Sequence, residues 1–91
     1  MNAPLRLHTR AGCPCCDRAL IVMAESAGRL GFEYEVVPIV DEAAFSAAFG
    51  PTAPVVTLHG RVRFRGRVDP FLLERLVLGE RLSVVDQTQG V

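Results

Sequence analysis

The sequence has no excess of charge, no long apolar run, no lysine, and no cysteine outside one four-residue stretch. Each absence narrows the reading. Ten basic residues, all arginine, balance ten acids, so nothing in the net charge points to nucleic acid or an anionic membrane as a partner. The all-arginine usage is a compositional bias and carries no functional weight. No stretch approaches the roughly 20 apolar residues of a membrane-spanning helix, and the opening MNAPLRLHTRAG has no apolar segment of signal-peptide length. A cytoplasmic location is the expectation. Cysteines confined to positions 13, 15 and 16 cannot build the distributed disulfide framework of a small secreted domain. In a reducing compartment such a cluster points to redox work or metal binding. A zinc ribbon would need a second cysteine pair, which is missing.

What is present is enough for one core. The 91 residues are 49% hydrophobic with five phenylalanines, a size at which about two-thirds of the unfolded surface can be buried. Leu5–Thr9 alternates with Leu5 and Leu7 inward, as in a strand. Ala11-Gly12 breaks it, Pro14 suits a first helical position, and Leu20, Met23, Ala24, Ala27 and Leu30 recur at helical spacing up to Gly31. Phe32–Ile39 alternates again, and Pro38 places it at its end or at a sheet edge. Asp41 caps a short helix with Phe45, Ala48 and Phe49 on its apolar face, closed by Gly50-Pro51. Pro54–His59 and Arg61–Arg65 form a hairpin about Gly60, with Arg61, Arg63 and Arg65 outward as edge protection. Asp69 and Pro70 begin a last helix with the stripe Leu72, Leu73, Leu76 and Val77, ending before Gly79. The domain covers residues 1–79, and 80–91 are a weakly patterned, partly ordered tail. The order β-α-β-α-β-β-α predicts a parallel crossover followed by a hairpin that extends the same sheet.

The chemistry concentrates in AGCPCCDRA, residues 11–19. A thiol attacks as thiolate, and a helix N-terminus stabilises that form through unpaired amides and the helix dipole. Cys13 holds that place, and Arg10, three residues upstream, is either an added positive charge or a surface residue at the strand end. Cys16 lies one turn further along the same face, so it can reach Cys13 and resolve a mixed disulfide. Cys15 points to another side, and pairing with adjacent Cys16 would strain the ring, so Cys13–Cys16 is the disulfide geometry favours. Cys15 is either a small residue in an ordinary position or a third thiolate donor. In the second case Cys13, Cys15 and Cys16 form a metal-binding module for Cu(I), Zn or an Fe–S cluster. His8 and His59 read as strand residues at the surface or in packing.

Three segments carry a resemblance to the thioredoxin superfamily, and within it to the glutaredoxins, over about Leu5 to Gly79. Cys13-Pro14-Cys15-Cys16 resembles C-P-Y-C with cysteine in place of tyrosine, Thr52-Ala53-Pro54-Val55 resembles T-V-P-V, and Gly66-Arg67-Val68-Asp69 resembles the turn before the last helix. The opening Thr9-Arg10-x-Gly12-Cys13-x-x-Cys16-Asp17 is most similar to short bacterial glutaredoxin-like proteins. The resemblance implies an α/β, thioredoxin-like (glutaredoxin-type) three-layer fold with a four-stranded mixed sheet. It implies a thiol–disulfide oxidoreductase in which Cys13 attacks and Cys16 resolves. Arg10, Ala53, Pro54, Gly66 and Asp69 would form the substrate groove, with the Ala53 backbone pairing with a bound thiol peptide and Pro54 cis. No cofactor is required, and glutathione is a candidate thiol co-substrate. The expected partners of this monomer are a protein or small-thiol disulfide and a cellular reductant, with no nucleic acid and no membrane. Two departures stand out: DEAAFSAAFGPTAP has no basic residue, and the third-helix turn keeps one aspartate of the usual pair. The tryptophan that precedes the first cysteine of thioredoxins is replaced by Gly12.

Overall fold

A computed structural model gives β1 (Leu5–Thr9), α1 (Pro14–Leu30), β2 (Glu35–Pro38), α2 (Glu42–Phe49), β3 (Val55–Leu58), β4 (Arg61–Arg65) and α3 (Pro70–Gln89). The structure describes residues 4–89, with side chains described as far as residue 80. One sheet runs in the order β2-β1-β3-β4, with β1 and β2 parallel and the other neighbours antiparallel. This is the element order and the four-stranded mixed sheet that the sequence predicts.

The central strands explain the layering. β3 is buried along its whole length because both of its faces are covered. Leu5, Leu7, Val56 and Leu58 join Ala19 and Met23 of α1 and Leu73 and Val77 of α3 in one core cluster. On the opposite face His8 meets the rings of Phe45 and Phe49 of α2, at centroid distances of 6.2 and 4.9 Å. Each fully buried Leu or Met contributes about 1.5–3 kcal/mol relative to exposure, and that burial holds the helices in place. Among the described residues no helix is long and apolar enough to cross a membrane.

Several local expectations are corrected. The buried stripe of α1 is Cys16, Ala19, Met23 and Ser26, so Leu20 lies on its flank and Ala24 is exposed. The reason is close packing on the sheet, which favours the small side chains of that face over Leu20. β2 begins at Glu35, not Phe32; Phe32 and Tyr34 precede it and pack against the core from the side. Val36 sits opposite Leu7 yet is 42% exposed, because β2 is an edge strand. Leu72 is 53% exposed, leaving Leu73 and Val77 as the inward residues of α3. That helix does not stop before Gly79 but continues to Gln89. A glycine inside a helix costs only about 1 kcal/mol, and no proline follows to end it. His59 lies in the hairpin turn with Gly60, both at positive φ (52° and 81°), as a two-residue turn between twisted strands requires.

Candidate active site

The carboxyl end of β1 and the start of β3 lie side by side, since His8 pairs with Val55. Thr9 also pairs with Pro38 at the end of β2, and the Ile39 N–H donates to its carbonyl at 2.8 Å. The chain therefore leaves β1 for α1 at the same sheet end where Pro54 enters β3. Gly12, at φ 68°, makes the turn, and Cys13 follows as the N-cap of α1 with extended backbone.

An N-cap side chain ordinarily offers an oxygen to an orphan amide of the first turn. Here sulfur takes that position: the Cys16 backbone N–H donates to Cys13 Sγ at 3.2 Å. Pro14, next in the chain, has no amide to leave unpaired. Cys16 is 1% exposed, and its Sγ accepts from the Arg10 backbone N–H at 3.4 Å. The two thiols are thus held in opposite environments. The Cys16 thiol, hydrogen-bonded to Cys13, lowers the Cys13 pKa; the Cys16 and Cys15 amides and the Arg10 charge add to this against partial desolvation. Burial pushes Cys16 up to about 11, so it is protonated at neutral pH and able to donate to its partner.

Arg10 lies at this site, but its guanidinium is engaged. Nε and Nη2 reach the two oxygens of Glu42 at 2.9 and 2.7 Å, and Nη2 also donates to the Pro51 carbonyl at 3.2 Å. Both readings of Arg10 hold in part, since it sits at the strand end and still lowers Cys13 slightly. The Ala53–Pro54 peptide is cis, and Pro54 is fully buried. Its carbonyl accepts from the Gly66 N–H at 2.8 Å. Gly66 has φ 73°, and a Cβ there would stand 3.4 Å from Thr52 Cγ2, so this turn fits against the Pro54 segment without a side chain. Asp69 turns its Oδ1 onto the Phe71 and Leu72 amides at 2.9 and 3.2 Å, which makes it the cap of α3.

Cys15 is exposed and opens away from the pair, into a groove of about 510 Å³ lined also by Arg18, Ile21, Val22, Arg67 and Val68. Among the described residues no three His, Cys, Asp or Glu side chains gather where an ion could be held. The three thiols therefore do not converge on one point. Sequence reasoning missed three features of this region. Glu42 follows the Asp41 cap and reads only as a first-turn acid. His8 is buried, with its Nε2 3.3 Å from Thr57 Oγ1, and its place in an alternating strand does not reveal the α2 rings that cover it. Arg65 does more than guard an edge, since its Nε donates to the Phe49 carbonyl at 3.1 Å and ties β4 to α2.

The family model described as Glutaredoxin-like domain (DUF836) matches residues 4–78. The fold is similar to that of a glutaredoxin (grx-1) from Archaeoglobus fulgidus, with 21% identity, a TM-score of 0.57, and 82% of this chain and 86% of that one covered. It is also similar to the holo form of glutaredoxin C1 from Populus tremula x tremuloides, with 19% identity, a TM-score of 0.54, and 93% and 85% covered. At these identities the likeness shows the thioredoxin-like fold. No curated protein matches the chain.

Proposed function

We propose, since the chain belongs to the glutaredoxin-like domain family of the thioredoxin superfamily, that it is a thiol–disulfide oxidoreductase acting through Cys13 and Cys16. The observation that carries this is the Cys13 sulfur seated as the cap of α1, accepting the Cys16 amide at 3.2 Å. A thiolate gains from this placement, whereas a structural cysteine gains nothing from it.

The steps follow from the two environments. The Cys13 thiolate attacks one sulfur of a substrate disulfide, forming a mixed disulfide and releasing the other substrate sulfur as a thiolate. Cys16 then gives up its proton, which the departing thiolate can take, and attacks Cys13 Sγ. The Cys13–Cys16 bond forms, the second substrate thiol leaves, and two electrons have passed to the substrate. A cellular thiol reductant restores the dithiol. The Ala53 backbone makes no hydrogen bond among the described residues, which supports its pairing with an extended thiol substrate beside Pro54. Protein and low-molecular-weight disulfides, glutathione included, are the substrate class, and the cytoplasm is the setting.

Cys13→Ser should abolish turnover of a mixed-disulfide substrate. Cys16→Ser should instead trap the Cys13 mixed disulfide, visible by intact-mass measurement. Wild-type turnover by Cys13→Ser would end the proposal.

A further inference from the structure

The arginines near the thiols fall into two groups. Arg10 is held in a fork by Glu42. Arg18, on α1, and Arg67, in the turn between β4 and α3, are exposed and have no ion-pair or hydrogen-bond partner among the described residues. The one carboxylate of that turn, Asp69, points its Oδ1 back onto the α3 amides. Both free guanidiniums line the groove beside Cys15, whose floor is apolar: Ile21, Val22 and Val68. Ile21 is left 59% exposed there. The groove also includes Gly66, whose amide is bonded to the Pro54 carbonyl, so it adjoins the segment that borders the reactive end of the sheet.

Ile21 is the exposed part of that floor, with Val22 half-buried and Val68 buried beside it, and apolar surface rimmed by polar groups is the form of a protein contact. Unpaired guanidiniums seek carboxylates, which they bind in a fork. A small hydrophilic thiol would satisfy the arginines and leave the floor uncovered, whereas a polypeptide carrying both acidic and apolar residues satisfies both. We infer that this groove docks an acidic segment of a protein substrate, its carboxylates on Arg18 and Arg67 and its apolar side chains on Ile21, Val22 and Val68. The inference rests on the oxidoreductase reading, in that the docked segment is the one that presents the substrate disulfide to Cys13. Acidic selectivity is then read on the Cys15 side of α1, while Glu42 keeps Arg10 engaged.

The test uses two peptide mixed disulfides of the same sequence, one with two glutamates flanking an apolar residue and one with glutamines, together with glutathione mixed disulfide. The readout is the ratio of kcat/KM for the acidic to the neutral peptide. The wild-type protein should favour the acidic peptide, and added salt should shrink the ratio. Arg18→Gln and Arg67→Gln should each lower the ratio by about 1.4- to five-fold, the range for exposed ion pairs, and Ile21→Ser should slow both peptides more than glutathione. A wild-type ratio near one, a ratio unchanged in the double arginine variant, or one removed by Arg10→Gln instead, would overturn the inference. An Ile21→Ser variant that slowed glutathione equally would overturn the polypeptide occupant. Titrating the isotope-labelled protein with the acidic peptide bearing serine in place of cysteine gives a separate reading, with shifts expected at the Arg67 and Val68 amides. Such shifts without any turnover by the wild-type protein would sink the oxidoreductase reading and leave the docking surface standing.

Discussion

At pH 7 the three thiols should react with iodoacetamide in the order set by their places in α1, with Cys13 far ahead of Cys16. An ordinary cysteine, titrating near ~8.5, is about 3% thiolate at pH 7. Cys16, at about 11, is about 0.01% thiolate by the same relation, roughly 300-fold less. A more basic thiolate is intrinsically more nucleophilic, with a Brønsted slope of about 0.4–0.5 in exchange chemistry, which returns roughly ten-fold to eighteen-fold of that deficit. The net is about 20- to 30-fold slower alkylation than a free thiol, before the 1% exposure of Cys16 slows access further. Cys13, whose pKa is lowered, should exceed a free thiol in thiolate fraction, so the gap between the pair is wider still.

The assay is a timed alkylation series from pH 5 to pH 10. The three cysteines fall in one tryptic fragment, residues 11–18, so fragment-ion spectra assign the label to each position. The cause can be separated from the outcome. The largest contribution to the low Cys13 pKa is the hydrogen bond from the Cys16 thiol, so Cys16→Ala should raise the midpoint of Cys13 alkylation. Cys16→Ser, whose hydroxyl can still donate, should raise it less. Comparable rates at Cys13 and Cys16, or a Cys13 midpoint indifferent to Cys16→Ala, would refute the reasoning.

Two further outcomes follow from charged groups on α2 and β1. Glu42→Gln should release Arg10 from its fork and move the Cys13 alkylation midpoint down, while Arg10→Gln should move it up; a midpoint unmoved by either change would show that the pair does not act on the thiol. His8 is pushed below 6.5 by burial first and the nearby Arg6 charge second, with Glu35 opposing. Its neutral form is the one the fold accepts, so the full stability is present above pH 6.5 and is lost as pH falls from there through the lower native value. Urea unfolding at stepped pH should show an acid-side loss that His8→Gln reduces; an identical pH profile in the variant would remove His8 as its source.

The sequence made the site legible where chemistry is local and obscure where it depends on packing between distant elements. β1 and α1 have the predicted limits because an alternating strand, a glycine break and a proline at the first helical position are all written in adjacent residues. The placement of Cys13 at the cap of α1 and of Cys16 one turn further in is legible for the same reason, being a matter of helix start and one turn of spacing. Glu42 meets Arg10 across 32 positions, and no local pattern brings them together. The buried stripe of α1 was misjudged because the hydrophobic residues Leu20 and Leu30 outweigh Ala19 and Ser26 in any periodicity, whereas close packing on the sheet selects the small ones. The helix runs on past Gly79 because a single glycine weakens a helix without ending it.

Cys15 shows how much of the chemistry is decided by a single helix start. Cys13, before the first turn, takes the cap position and meets the amide of Cys16. Cys16, three residues on, is carried round to the sheet, where burial keeps it protonated. Cys15, between them, is turned outward into the groove with Arg18 and Val68. An insertion or deletion of one residue before Cys13 would not change the spacing of these thiols, but it would change where the helix sits against β1 and which of them faces the sheet. The Arg10 amide that meets Cys16 Sγ is the last peptide group of that strand end, so it fixes this rotation at the point where strand becomes turn. The seat of Cys13 at the cap is therefore a property of the β1–α1 junction as a whole, and Gly12 belongs to it as fully as the sulfurs do: any side chain there would be strained at φ 68°, and the turn would have to rearrange just where it delivers Cys13 to the cap.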